Sequence, residues 1–370
     1  VGFIPDPLAD VKPLAGHGVI RCIKERRGMF KHCTVTVFIW SLLTATPSLA
    51  DGPELVIVSF GGANRAAQGK AFYEPWEKSG NGRVIAGEYN GELARVRSMV
   101  QGRDVTWDLV EVESPELARG CDEGLFEPID STLFGNTAEY VKGTVDNCGV
   151  GFFVWSTVLA FNADKFEKAP GGWADFWNTG AFPGKRALRT GAKYNLEIAL
   201  MADGVAPREV YKVLASPAGQ DRAFAKLTQL KPDIRWWTTG AQPAQYLASG
   251  EVVMSSAYNG RITPMPNLRI VWSGGLYDFD AWAIPKGAKN IEAAQRFMAY
   301  SVMPEPQSRY SRAINYGPVN LKAIALLERP LSRDLPTSQA NLEAQMQIDA
   351  TFWAEHGEQL ERRFESWVGH

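Results

Sequence analysis

The feature that most narrows the fold is a short, unbroken apolar run stopped by glycines. Glu54-Leu-Val-Ile-Val-Ser59 leads directly into Phe60-Gly61-Gly62, which reads as a buried strand followed by a turn. Ala66 to Glu77 then has helical character, and Arg83 to Glu88 returns as a second strand. Leu93 to Gln101 is helical, and Trp107-Asp-Leu-Val-Glu-Val112 gives another buried strand. Pro115 to Arg119 follows as a short helix, with Gly120 and Gly124 as breakers. Strands that alternate with helices predict parallel β-α-β units and an α/β fold.

The same alternation continues after a composition change. Gly149 to Phe161 is rich in Val, Phe and Trp and suits a central strand. Trp173-Ala-Asp-Phe-Trp177 is a short amphipathic turn, and Phe182 to Arg186 a loop. Helices are expected over Tyr194–Ala202, Arg208–Leu214, Arg222–Leu230, Ile291–Ser301 and Leu342–Trp367. Strands are expected over Gly250–Ser256, Leu268–Trp272 and Phe279–Ile284. A chain of 370 residues with no internal repeat has room for about two domains. Two α/β lobes are therefore expected, not one large sheet.

Ahead of the first strand lies the one segment with membrane character. Lys31 precedes Cys33 to Ala50, which is uncharged, and Ser48-Leu49-Ala50 puts small residues at a cleavage site before Asp51. The greasy core Val35 to Leu43 is too short to span a bilayer. Residues 29–50 are therefore expected to be a secretory signal peptide, cleaved after Ala50. Residues 1–28 fit neither a signal nor a domain, and are expected to be an extension from an upstream start. Removal through Ala50 leaves 33 basic and 38 acidic residues. That balance argues against nucleic-acid binding by phosphate neutralisation. Cys121 and Cys148 are the two remaining cysteines, and an exported chain invites a disulfide between them; two buried free thiols are the alternative.

The catalytic options are few. Past residue 50 the histidines are His356 and His370, so a Ser-His-Asp or Cys-His machine has little to work with. No H-E-x-x-H or Cys-x-x-Cys spacing points to a metal. Gly180-Ala-Phe-Pro-Gly184-Lys185 has three residues between its glycines where a phosphate loop has four, and Arg186 stands where Ser or Thr would hold magnesium. It reads as a turn. Carboxylate-only catalysis, as in glycosidases, stays open, so a secreted carboxylate-dependent enzyme is one reading of the chain.

A set of short motifs gives the other. In order they are Trp107-Asp-Leu-Val, Glu123-Gly-Leu-Phe-Glu-Pro-Ile-Asp130, Phe161-Asn162-Ala163-Asp164 and Trp173-Ala-Asp-Phe-Trp177. Gly250-Glu-Val, Tyr258-Asn259-Gly260, Asp280-Ala-Trp-Ala-Ile-Pro285 and Tyr316-Gly317-Pro318 follow. Across residues 54–367 the chain resembles periplasmic substrate-binding proteins of ABC transporters, most of all their polyamine-binding (spermidine and putrescine) branch. The resemblance implies a two-lobed, type II-like fold, each lobe a mixed sheet flanked by helices, with hinge strands between. By motif, lobe one is 51–161 with 280–318, and lobe two is 162–279 with 319–370. It also implies a monomer in the periplasm that needs no cofactor, performs no turnover, and hands its ligand to a membrane permease after hinge closure.

Within that resemblance, carboxylates hold ligand ammonium groups and aromatic rings pack on the methylenes. Asp280 matches the acid after the lobe crossing; a structural hydrogen bond at a strand end is its other reading. Asp278 is read as a solvated loop charge. Two further family acids fall on Gly191 and Tyr194 here, so the far ammonium of a diamine loses its partner. Arg261, directly after Tyr258-Asn259-Gly260, offers a fork for a carboxylate, unless it is a surface arginine. Asp280 with Arg261 suggests an ω-amino acid such as γ-aminobutyrate, with a polyamine as the alternative. Aromatic wall candidates are Phe60, Trp155, Tyr194, Trp237, Tyr258 and Trp353, of which core packing explains Trp353 equally well. Glu113 and Ser114, at a strand end, are polar candidates by position.

Overall fold

The computed structural model describes residues 52–369; the expected extension, signal peptide and cleavage site lie outside them. Nine strands form among the described residues, and their ranges follow the apolar runs closely in the first half. They are β1 (Glu54–Phe60), β2 (Arg83–Tyr89), β3 (Leu109–Glu113), β4 (Gly149–Asn162), β5 (Arg186–Arg189), β6 (Ile234–Trp237), β7 (Met254–Tyr258), β8 (Leu268–Ala283) and β9 (Met346–Gln347). The sheet order is β2-β1-β3-β8-β4-β7-β5-β6, with β9 added on β8. β2, β1 and β3 pair in parallel, as do β7, β5 and β6, and antiparallel pairing with β4 and β8 joins the two sets.

The expectation of separate sheets is thus corrected: one sheet runs through both halves. The reason is the length of β4 and β8, 14 and 16 residues, against about five or six for a usual strand. Every residue of β4 is buried, so neither end is free to stop pairing. Two register shifts, between Gly151 and Phe153 and between Thr157 and Leu159, divide the ladder without breaking it. Opposite the second shift β8 carries Gly274, at φ 71°, and Gly275. That glycine pair is why the sequence reads as two strands, Leu268–Trp272 and Phe279–Ile284, where one bulged strand forms.

Residues 319–322 are sewn to the 137–141 turn: Val141 N donates to Val319 O at 2.8 Å, Tyr140 bridges to Asn320, and Lys322 pairs with Glu139 at 2.7 Å. A further expectation changes near the end of the chain. The expected helix Leu342–Trp367 is interrupted, since Met346 and Gln347 pair with Leu276 and Tyr277 before the helix Ala350–Gly369 begins. β5 and β6 are not among the strands the sequence announces, and only Arg186 falls in the expected loop Phe182–Arg186; four-residue strands such as Arg-Ala-Leu-Arg carry too little periodicity. Arg186 is fully buried in β5 and donates to the carbonyls of Phe176, Gly184 and Phe182.

Cys121 and Cys148 are joined as a disulfide. It ties the end of the helix Ser114–Asp122 to the start of β4, closing a loop with a sequence separation of 27. A loop of that size constrains the unfolded chain by about 3 kcal/mol. Cys148→Ser should lower the free energy of unfolding by that amount, read from urea denaturation; a loss under about 1 kcal/mol would mean that native packing holds the loop without the bond.

Candidate functional site

The period-two alternation of three adjacent strands gathers acids on one face. Glu113 of β3 stands opposite Asp280 of β8, which in turn stands opposite Phe153 of β4; one pair further along, Asp278 faces Trp155. Glu111, two residues before Glu113, shares their face. Like charges so placed repel, and each acid has its own remedy.

Glu111 is fully buried and accepts from Phe60 N (3.0 Å), Asn64 Nδ2 (2.7 Å) and Gln68 Nε2 (2.9 Å). Asn64 and Gln68 lie one turn apart on the helix Ala63–Gln68, so both reach the same carboxylate. Burial nonetheless pushes the Glu111 carboxyl above the usual range, only partly offset by hydrogen bonds from Asp280, Gln68 and Asn64. Burial, then the Glu111 charge, raises Asp280 well above its ordinary value. The side-chain hydrogen bond with Glu111 works in the same direction, favouring the protonated form of Asp280. Asp280 Oδ1 accepts from Trp155 Nε1 at 2.8 Å.

Asp280 opens onto a cavity of about 190 Å³ lined by Phe60, Gly61, Asn64, Glu113, Phe153, Trp155, Gly240, Tyr258, Arg261, Asp280 and Tyr316. The motif Tyr258-Asn259-Gly260 shapes its far wall. Asn259 is buried and staples two elements, accepting from Ser156 N (2.9 Å) and donating to Asn315 O (3.0 Å). A Cβ at Gly260 would lie 2.7 Å from Tyr316 Cε1 and 2.8 Å from Ile314 O, so only glycine lets the chains approach there. That close contact seats Tyr316 and presents Arg261 from the next position. Among the described residues Arg261 has neither a hydrogen-bond acceptor nor an acidic partner within bonding distance.

The aromatic walls interlock. Phe60 stacks on Tyr89 at 5.5 Å, Phe153 on Tyr316 at 5.1 Å, and Trp155 meets Tyr258 edge-on at 5.1 Å. The structure therefore brings together Asp280, Arg261, Tyr258, Phe60, Glu113 and Trp155 as expected. It sets four candidates back. Tyr194 and Trp237 stand behind the wall, edge-on to Trp155 (5.8 Å) and Tyr258 (5.4 Å), because both are fully buried. Trp353 is a core residue, its Nε1 donating to Glu197 at 2.7 Å. Ser114 does not line the cavity, since its hydroxyl donates to Asp278 Oδ1 at 2.5 Å.

Asp278 itself corrects another expectation: it is 0% exposed, not a solvated loop charge. The unbroken β8 carries it into the sheet interior, and burial lifts its pKa to about 7, against the charge of Lys193. Also missed were Glu111, Asn64, Phe153, Gly240, Tyr316, Arg189 and Lys193. The alternation of Glu111 with Glu113 was visible in the sequence; the short strand that ends in Arg189 and the turn that carries Lys193 were not.

The model of the bacterial extracellular solute-binding proteins matches residues 71–337. A γ-aminobutyric acid-binding protein of Pseudomonas aeruginosa is 52% identical over 92% of this chain and 97% of its own length. A spermidine/putrescine-binding periplasmic protein of Salmonella typhimurium is 24% identical over 70% of this chain and 77% of its own. The likeness to polyamine binders is thus present but much the weaker. A solved GABA receptor, Atu4243, superposes with a TM-score of 0.79 at 32% identity, covering 85% of this chain and 98% of that one.

Asp278 generates a pH prediction. Its proton is held up to about 7 in the folded chain against 3.8 as the ordinary value, so between those limits the folded state binds more protons than the unfolded one. Stability must then fall as pH rises across that window. Asp278→Asn should flatten the fall in urea-unfolding free energy between pH 4 and pH 7; an unchanged slope would remove Asp278 as its source.

Proposed function

From a chain that belongs to the bacterial extracellular solute-binding proteins, we propose a periplasmic binding protein that captures γ-aminobutyrate and presents it to an ABC permease. The observation that carries this reading is the pairing of Asp280 with Arg261 on one aromatic-walled cavity. A ligand ammonium pairs with the Asp280 carboxylate, whose proton leaves to solvent, and the ligand carboxylate takes the fork of Arg261. Between the two charges, the rings of Phe60, Trp155 and Tyr258 cover the methylenes, and a ring face beside the ammonium contributes about 0.5–2 kcal/mol.

The lobes on this reading are residues 51–161 with 280–345, and 162–279 with 346–370. β4 and β8 are the hinge strands, and the register shifts at Gly151 and Val158 are where they bend. The protein acts as a monomer, after export and cleavage at Ala50. Its carboxyls neutralise charge and perform no turnover: a ligand incubated with the protein is recovered unchanged.

Calorimetric titration of residues 51–370 with γ-aminobutyrate and putrescine tests the assignment. The amino acid should bind and the diamine should not. Arg261→Ala should weaken γ-aminobutyrate by about a hundredfold, or about 3 kcal/mol, as expected when one member of a buried charge pair is truncated. Asp280→Asn should weaken it by a similar factor. Undiminished binding in Arg261→Ala would remove the carboxylate role, and binding of putrescine alone would turn the assignment to a polyamine.

A further inference from the structure

Lys193 is a charged group beside the cavity that this ligand leaves unused. Its Nζ reaches from the Thr190–Tyr194 turn to Glu113 Oε2 on β3, at 2.5 Å, with the two side chains only 13% and 25% exposed. Glu113 lines the Asp280 cavity and also an adjoining one of about 300 Å³, whose other walls are Phe60, Asn90, Gly91, Glu116, Arg189 and Lys193. The charges of Glu113, Glu116 and Asp278 outweigh burial and hold the Lys193 ammonium protonated.

The turn is built to keep Lys193 there. Its own N–H and that of Ala192 donate to the Glu361 carboxylate on the C-terminal helix, at 3.1 and 2.8 Å. Asn195 Nδ2 donates back to the carbonyls of Arg189 (2.6 Å) and Gly191 (2.7 Å). Tyr194 is held at φ 76°, a left-handed conformation that an aromatic residue enters only when its surroundings impose it.

We propose that Lys193 is a built-in cation that makes the site select against diamines. An ammonium anchored at Asp280 leaves Glu113 as the next carboxylate along the cavity, and Lys193 already occupies it. The second ammonium of a diamine therefore meets a neutralised acid with Lys193 and Arg189 beside it. Juxtaposed like charges are a strong means of rejecting a wrong partner. An ω-amino acid has no second ammonium to place and is not affected. The inference rests on the reading of Asp280 as the amine anchor.

Titration calorimetry with putrescine on Lys193→Gln, Lys193→Met and Lys193→Arg tests it, with far-UV circular dichroism as the check on folding. Putrescine affinity should rise at least tenfold in the Gln and Met variants, stay at the wild-type level in Lys193→Arg, and fall back in Lys193→Gln/Glu113→Gln. Folded Gln and Met variants without the gain, or a double variant that keeps it, would overturn the proposal. A measurement on the unaltered chain guards against misfolding: 4-aminobutan-1-ol, of equal length with an uncharged end, should bind at least tenfold more tightly than putrescine. Equal affinities would overturn the exclusion. Titration of the wild type with γ-aminobutyrate separates the two readings, because failure there removes the ligand assignment while a putrescine gain in Lys193→Gln would leave the exclusion standing.

Discussion

The antiparallel ladder of β4 on β8 is the constraint on which the molecule depends. It joins two parallel sets of strands into one sheet, and its register decides what faces what: Phe153 and Glu113 flank Asp280, and Trp155 lies opposite Asp278. A slip of one residue would turn Asp280 to the other face of the sheet. The residues that hold the register are themselves part of the site, since the Trp155 indole donates to Asp280 and Asn259 fastens Ser156 to the neighbouring loop. The ladder that sets the register thus also forms part of the cavity wall.

Gathering acids on that face works against stability. Glu111, Asp278 and Asp280 all hold protons more tightly than free carboxyls do, with burial as the main cause. A core made for stability alone would replace them with apolar residues. They are tolerated because a cage of neutral amides, a serine hydroxyl and an indole supplies the donors, and because one lysine supplies a charge. Rule-breaking of this sort in a core marks a functional site.

Much of this was legible in the sequence. The alternation of apolar runs and helices gave the α/β fold, and six of ten ligand candidates line one cavity. What escaped did so for physical reasons. Gly274 and Gly275 read as a strand break because glycine signals a turn locally, whereas pairing with a fully buried β4 carries the strand through them. Asp278 followed the same error, since its burial depends on β8 being continuous. Lys193 sits on a turn with no period, and its target is 80 residues away in the sequence; no local pattern encodes such a contact. Trp353, Trp237 and Tyr194 show the converse. Aromatic residues are equally at home in a core and in a cleft, and composition does not separate the two.

The helix Ala350–Gly369 carries Glu361, which grips the turn of Lys193, and Glu358, which pairs with Arg119 on the helix Ser114–Asp122 at 2.9 Å. It also carries Trp353, bonded to Glu197, and Arg363, bonded to Asp221. One helix therefore braces four separate segments, and one of them is the turn beside the cavity. Glu361 lines neither the Asp280 cavity nor the adjoining one, yet it fixes the backbone from which Lys193 reaches Glu113. A substitution at Glu361 would loosen that turn without touching a wall, so the charge pattern along the cavity is set in part from outside it.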